Sequence, residues 1–195
     1  MKHDRGTSFQ YPPRMKCPAC KQSAFLTRDL DQGLASNHCA GCHGNWISGQ
    51  QYWDWLRAKG ENLPERDPGS PTPQVADSPS AKTCPTCGRW LIKYKVGHGL
   101  AFHVEHCGGC DGVWLDSNEW EALKARNLHD DLQFICDSLW QRGVHRDETE
   151  ALAQARFAKA LGTDFEKARD LRAWITNHPN RAVLLAYLID HLPGR

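Results

Sequence analysis

The apolar positions of this chain follow two different rhythms. Up to about residue 127 they come in short, partly alternating runs broken by Gly, Pro and Asn, which is a strand-and-turn pattern. From Asp130 onwards they recur at helical spacing. Residues 24–31 and 34–37 predict two short strands around Gln32-Gly33. Residues 90–96 and 100–105 predict a second, better-patterned pair around Gly97-His98-Gly99. A helix is expected after each pair. Ser48-Gly49-Gln50-Gln51 has the form of a capping box and opens a helix to about residue 58, with Gly60 able to end it. Asp116, with Glu119 at the reciprocal position, opens another to about residue 127.

The C-terminal third carries four amphipathic stripes. Leu132, Ile135, Cys136 and Leu139 form the first, with Gly143 as its stop, and Ala153, Phe157, Ala160 and Leu161 the second, ending near Gly162. Phe165, Ala168, Leu171 and Ile175 form the third, before Asn177-His178-Pro179. Val183, Leu184, Tyr187, Leu188 and Leu192 form the fourth, before Pro193-Gly194. Such segments joined by short turns predict a small helical bundle, unless some stripes pack on the strands instead.

Nine cysteines then change the picture, because eight of them fall in four C-x-x-C pairs: Cys17/Cys20, Cys39/Cys42, Cys84/Cys87 and Cys107/Cys110. Eighteen residues separate Cys20 from Cys39 and nineteen separate Cys87 from Cys107. His38 or His106 precedes the third cysteine of each set, and Gly44/Trp46 or Gly112/Trp114 follows the fourth at the same offset. The chain therefore holds an internal repeat displaced by 67 to 68 residues. Two C-x-x-C turns about 15–20 residues apart can aim four sulfurs at one point, which is a four-thiolate zinc signature. A module of roughly 45 residues buries little apolar surface, and structural zinc supplies an apparent ~10–16 kcal/mol in peptides of that size. Disulfides, a thioredoxin-like redox pair and replacement of a sulfur by His38, His43 or His106 are the alternatives. No secretory leader is visible in the polar start, so an oxidising compartment is not expected, and turns beside Pro and Gly do not give the strand–helix context of a redox pair.

The second set, Cys84-Pro85-Thr86-Cys87 followed by Cys107-Gly108-Gly109-Cys110-Asp111-Gly112-Val113-Trp114-Leu115-Asp116 and Glu119, resembles the bacterial zinc ribbons named after transcription factor IIB. Gly108 stands where such ribbons commonly have Pro. The first set is more diverged, with Ile47-Ser48 in place of Leu-Asp. The resemblance covers residues 15–58 and 82–124 and implies knuckle–hairpin–knuckle ribbons with structural zinc and a link to transcription. The expected fold is thus small, α+β and metal-stabilised: two four-cysteine zinc ribbons, each followed by a helix, plus an α-helical C-terminal bundle. The divisions are a loose tail (1–14), ribbon one (15–60), a linker rich in Pro, Ser and acidic residues (61–80), ribbon two (81–127) and the helical region (128–195). The linker reads as solvated and extended, leaving the ribbons independent unless they pack on each other.

Charge narrows the function. Twenty-four Lys+Arg stand against 23 Asp+Glu, and no segment has a pronounced basic surplus, so non-specific duplex binding is disfavoured. Without an apolar run of about 18 residues no spanning helix is expected, and the protein reads as cytoplasmic. Trp46 and Trp114 offer either a stacking platform for bases or a plug between helix and ribbon. Trp53 and Trp55, two apart on a helix, cannot both face one core, so one is expected at the surface. His98, His103, Glu105 and His106 invite a catalytic metal, but strand geometry splits them between two faces and four cysteines close each zinc site. Cys136 lies in an apolar stripe and reads as a small buried hydrophobe. The expectation is a non-enzymatic protein holding Zn2+ at two structural sites and docking another macromolecule, with protein favoured over nucleic acid. No small-molecule substrate is evident. The alternatives are selective nucleic-acid binding, with Lys93 and Lys95 on one strand face as candidate phosphate contacts, and a redox or zinc-dependent hydrolytic enzyme.

Overall fold

The structure, a computed structural model, describes residues 15–22, 25–59, 63, 65–67 and 70–190. The expected N-terminal tail, Ala24, Gly60, Leu192 and Pro193-Gly194 lie outside the described residues. The chain forms two compact bodies, Met1–Val144 and His145–Arg195.

In the first body, strands β1 (Phe25–Asp31) and β2 (Leu34–Cys39) form an antiparallel hairpin closed by Asp31 opposite Leu34. Gln32 and Gly33 take φ of 43° and 97°, and the Gly33 N–H is held by the Asp29 carboxylate at 3.0 and 3.1 Å. Strand β3 (Asn45–Ile47) pairs with β2 and leads into helix α1 (Gly49–Lys59). The capping box is present: the Gln51 N–H donates to Ser48 Oγ at 3.2 Å and the Ser48 N–H to Gln51 Oε1 at 3.1 Å. Strands β4 (Ile92–Gly97), β5 (Leu100–His106) and β6 (Val113–Leu115) repeat the plan and lead into helix α2 (Glu119–Lys124). Here only half the box forms. The Asp116 N–H donates to Glu119 Oε2 at 2.7 Å, while the Asp116 carboxylate accepts from Trp114 Nε1, Lys82 Nζ and the Ser78 N–H at 2.7, 3.0 and 2.9 Å. With that side chain diverted, the helix starts at Glu119 and stops short of residue 127, where Asn127 turns left-handed at φ 54°.

The two halves are one sheet. The strand order is β1-β2-β3-β6-β5-β4, joined where β3 and β6 run antiparallel with Asn45, Trp46 and Ile47 opposite Leu115, Trp114 and Val113. Alternation along these short strands sends side chains to both faces. Ile47, Val113 and Leu115 enter a core with Leu34, Val104 and Phe102, covered by Tyr52 and Trp55 of α1 and Trp120 and Leu123 of α2. Trp46 and Trp114 point the other way, into a second cluster with the buried cysteines Cys17, Cys39, Cys84 and Cys107. Trp55 is buried and Trp53 is exposed.

The segment before β4 lies along the second module. Asp77 contacts His103 Nδ1 at 2.9 Å and Lys93 at 3.4 Å, the Asn118 amide donates to the Gln74 carbonyl, and Arg126 donates to the Ser70 carbonyl and to Thr72 Oγ1. Residues 70–80 thus set backbone carbonyls and the Asp77 carboxylate against ribbon-two side chains, while Pro71, Gln74, Ala76, Pro79 and Ser80 stay exposed.

After Asn127 the chain is helical. Helix α3 (Leu132–Ile135) buries Leu132 and Ile135 in the main core, and the Tyr52 hydroxyl bridges the His129 carbonyl and the Leu132 N–H at 3.1 and 3.2 Å. Asp137 then caps a new helix through the Leu139 N–H at 2.6 Å, so α4 spans Ser138–Leu161. The first stripe is therefore split at Cys136-Asp137, and α4 runs through Gly143, contrary to the expected stop. Gly143 has no neighbour within 4 Å of an added Cβ, and a glycine within a helix costs only about 1 kcal/mol. Trp140 Nε1 donates to the Val96 carbonyl at 2.9 Å, and Val144 seats on Gly97, which closes this body. In the second body, α4 ends at Gly162 (φ 54°), a single 3-10 turn follows, and α5 (Phe165–Thr176) and α6 (Arg181–Asp190) complete the helices. None of the described residues from 145 to 190 is buried. No helix among the described residues is long and apolar enough to cross a membrane.

Candidate metal centre

Four local turns of the same build carry the cysteines. In each, the residue after the second cysteine donates its N–H to the carbonyl of the first: Lys21 to Cys17, His43 to Cys39, Gly88 to Cys84 and Asp111 to Cys107, at 2.8–3.0 Å. All four of these residues are left-handed, with φ of 62°, 60°, 75° and 55°. The first cysteine's N–H then closes the knuckle on Gln22, Gly44, Arg89 or Gly112. His43 is thereby a turn residue, and His38 turns its Nδ1 to Asn45 Oδ1 at 3.1 Å.

The hairpins bring the knuckles face to face. Cys17 Sγ lies 3.5 Å from Cys42 Sγ and Cys20 Sγ 3.5 Å from Cys39 Sγ; the second set gives 3.5 Å for Cys84/Cys110 and 3.4 Å for Cys87/Cys107. Within each set the four ligand atoms lie within 4.8 Å of one another, and all nine cysteines are free thiols. A tetrahedron with Zn–S bonds of about 2.3 Å has edges of roughly 3.8 Å, so both cages have the size zinc requires.

Electrostatics agree with that fit. Backbone N–H groups point at the sulfurs, from Cys20 to Cys17 Sγ at 3.5 Å and from Thr86 and Cys87 to Cys84 Sγ at 3.4 and 3.3 Å. The Arg89 N–H draws the Cys87 thiol down to about 7. Burial opposes ionisation of Cys39, yet the amides of Cys42 and Gly41 also hold it near 7. Burial raises Cys42 and Cys84 and pushes Cys110 up to about 12. Four thiolates can share such a space only around a cation. When bound, zinc supplies four bonds that clamp two knuckles and a hairpin.

The family model described as transcription factor zinc-finger, the zinc ribbon of the transcription factor IIB type, matches residues 16–58 and 83–126. The chain carries two tandem ribbons of this type. No curated protein and no solved structure matches it.

The ribbons share one interior. Trp114 of ribbon two packs over Gly44 of ribbon one, where an added Cβ would sit 2.2 Å from its Cζ2, and Trp46 packs over Gly112 at the same 2.2 Å. Phe25 of ribbon one meets Trp114 edge-on at 6.3 Å between ring centroids. Both tryptophans are therefore buried clamps between ribbons, in place of the base-stacking platform or helix plug expected from the sequence. Gly49 at the start of α1 rests on Asp111 of the other ribbon's knuckle, leaving 2.8 Å for a Cβ.

The other sequence candidates do not converge. His103 faces Asp77, His98 lies beside the Trp140 ring and His106 beside Tyr94. None of them joins a metal-competent cluster among the described residues. Lys93 is engaged by Asp77, Glu105 and the Ser78 carbonyl, which removes it as an open phosphate contact. Cys136 is half-buried, and burial pushes its thiol up to about 12.

One group escaped sequence reasoning. Lys82 is fully buried and pairs with Glu105 Oε1 at 2.5 Å and Asp116 Oδ2 at 3.0 Å. Burial works against its charge, but the two carboxylates hold Lys82 above its ordinary range. Asp116 also meets Asp77 and Glu119 in a three-carboxylate cluster, where Lys82 is the cation. Burial holds the Glu119 carboxyl well above the usual range. The only sequence signal was an isolated Lys82 two positions before a ligand cysteine.

Proposed function

We propose that the protein is a non-enzymatic interaction module, associated with transcription and working in the cytoplasm, whose zinc is structural and whose partner is a protein. The closed donor set carries this reading: each cage is filled by four sulfurs, leaving no open position for water or substrate, which catalytic zinc needs. Protein is favoured over nucleic acid by the near-neutral charge and by the engagement of Lys93 with acidic groups. The docking surface is the helical C-terminal region, whose apolar side chains lie exposed.

Cross-linking in the native cell followed by mapping of the linked peptides tests this. Links to a protein that concentrate in residues 145–190 are expected. Salt-dependent binding to single- or double-stranded DNA or RNA that weakens on Lys93→Ala would overturn the choice of partner, and turnover that disappears with zinc would overturn the structural role.

A further inference from the structure

The second body has the sequence of a packed helical assembly without an interior of its own. Ten large apolar side chains between Leu152 and Ile189 are more than 40% exposed. At about half of the roughly 150 Å² or more that such side chains present, their summed exposed area over α4, α5 and α6 is on the order of 900 Å². That total is comparable with the ~800 Å² each partner contributes to a stable complex. The face is shaped as well as apolar. A groove of about 610 Å³ between α4 and α5 is floored by Ala153 and Ala168 and walled by Phe157, Leu161 and Phe165. A second, of about 420 Å³, lies between α5 and α6, lined by Leu171, Ile175 and Leu185. The same body supplies something to fill a groove. Helix α6 is apolar around most of its circumference, with Val183, Leu185, Leu188 and Ile189 exposed, which is the pattern of a helix buried on all sides.

We infer that the occupant is a second copy of this chain, packed so that the α6 helix of each copy covers the grooves of the other. This rests on the reading of the C-terminal region as a docking surface and names what docks there. A groove and a filler on one body are what a twofold, isologous contact needs, since each copy offers both halves. Charge points the same way. Residues 145–195 hold eight Lys+Arg and seven Asp+Glu, so a strongly acidic or basic partner finds no complementary field and a second copy meets no repulsion. The small floor residues Ala153 and Ala168 let a helix backbone approach closely.

Sedimentation equilibrium of the zinc-loaded full chain, from about 1 to 100 μM, reads the outcome. The expected particle has twice the 22.0 kDa chain mass. Leu185→Glu and, separately, Leu188→Glu are expected to weaken self-association at least tenfold, with zinc content unchanged as the check that the ribbons still fold. Should either variant lose helicity, Val183→Cys supplies an independent readout: its thiol, in a Cys136→Ser background, should be protected from alkylation at high protein concentration and become reactive on dilution. A 22.0 kDa particle throughout overturns the inference. If that monomer still cross-links to another protein through 145–190, the docking reading survives and only the identity of the occupant fails. If the Val183→Cys thiol is instead protected from alkylation in a monomer, the face is covered by its own chain and both readings fail.

Discussion

Gly44→Ala probes the junction between the ribbons with a single methyl group. Gly44 is not in the left-handed region, so alanine fits its backbone without strain, and its carbonyl still accepts the Cys39 N–H. The methyl carbon would instead sit 2.2 Å from Trp114 Cζ2, 2.7 Å from Cη2 and 3.0 Å from the Leu115 carbonyl oxygen. Real contacts of this kind lie near 3.5–4.0 Å, so the ring must move by more than 1 Å. Trp114 is fully buried, tied to Asp116 Oδ1 at 2.7 Å and flanked by Phe25, so it has nowhere to go without opening the β3–β6 pair. Overpacking of well-filled cores costs about 1–3 kcal/mol, and a rigid ring against backbone places this site at the upper end, about 3 kcal/mol. Urea unfolding at fixed free zinc measures the loss, and zinc content should stay at two per chain because no ligand is touched. The double-mutant cycle isolates the cause. In a Trp114→Phe background, which removes Cζ2 and Cη2, Gly44→Ala should cost about 2 kcal/mol less than it does alone. A single-mutant cost below about 0.5 kcal/mol, or additivity in the cycle, would refute the clamp.

Protein purified without added zinc should contain two zincs per chain by metal analysis; Cys84→Ala should lower this by one, whereas Cys136→Ala should not change it and its thiol should alkylate slowly. Lys82→Met leaves Asp116 buried without its cation and Glu105 with only the more distant Lys93, and should destabilise by about 3–5 kcal/mol in denaturant titration, a loss under 1 kcal/mol being incompatible with the buried pair. Burial between Trp55 and Trp120 lowers the pKa of His129, against Asp130 and Asp31, which raise it, and with Lys124 and Arg66, which lower it further. Above about pH 6.5 the imidazole is neutral folded or unfolded; below it the unfolded chain takes the proton first, so stability falls with pH until the folded His129 protonates. His129→Phe should flatten that part of the pH–stability curve relative to wild type, with zinc loss common to both proteins.

What the sequence made legible was local. The C-x-x-C spacing located both cages, because each knuckle is a turn of five residues whose ligands and left-handed position lie side by side. The Ser48/Gln51 box and the Gln32-Gly33 turn were readable for the same reason. The pairing of β3 with β6 was not, since strands of three residues have too little alternation to announce a partner, and the partner is 68 residues away. The repeated Gly and Trp were visible, but their exchange between ribbons is a property of the pair. A Pro- and Ser-rich segment reads alike whether water or Lys93 and His103 satisfies Asp77. In the C-terminal stripes the period gave the apolar faces of α4, α5 and α6, while periodicity carries no record of what a face meets.

The divergence of the first ribbon from the second has a physical pattern. Lys82 stands two residues before the first cysteine of ribbon two; the equivalent in ribbon one is Met15. Glu105, two before the third cysteine, corresponds to Asn37, Asp116 corresponds to Ser48, and Glu119 to Gln51. Every member of the buried charge network is thus replaced in ribbon one by an uncharged residue. That is the behaviour of a set whose parts depend on one another: a lone carboxylate or ammonium in this interior would lack its counter-charge, so the network is kept whole or absent. The cages and the Gly/Trp clamps are common to both ribbons, because each is needed by the other's knuckle as well as its own. Zinc holds each hairpin closed, but β3 or β6 alone would leave a bare strand edge carrying an indole into water. The folding unit is therefore the pair, and the second copy serves the first as its missing sheet edge.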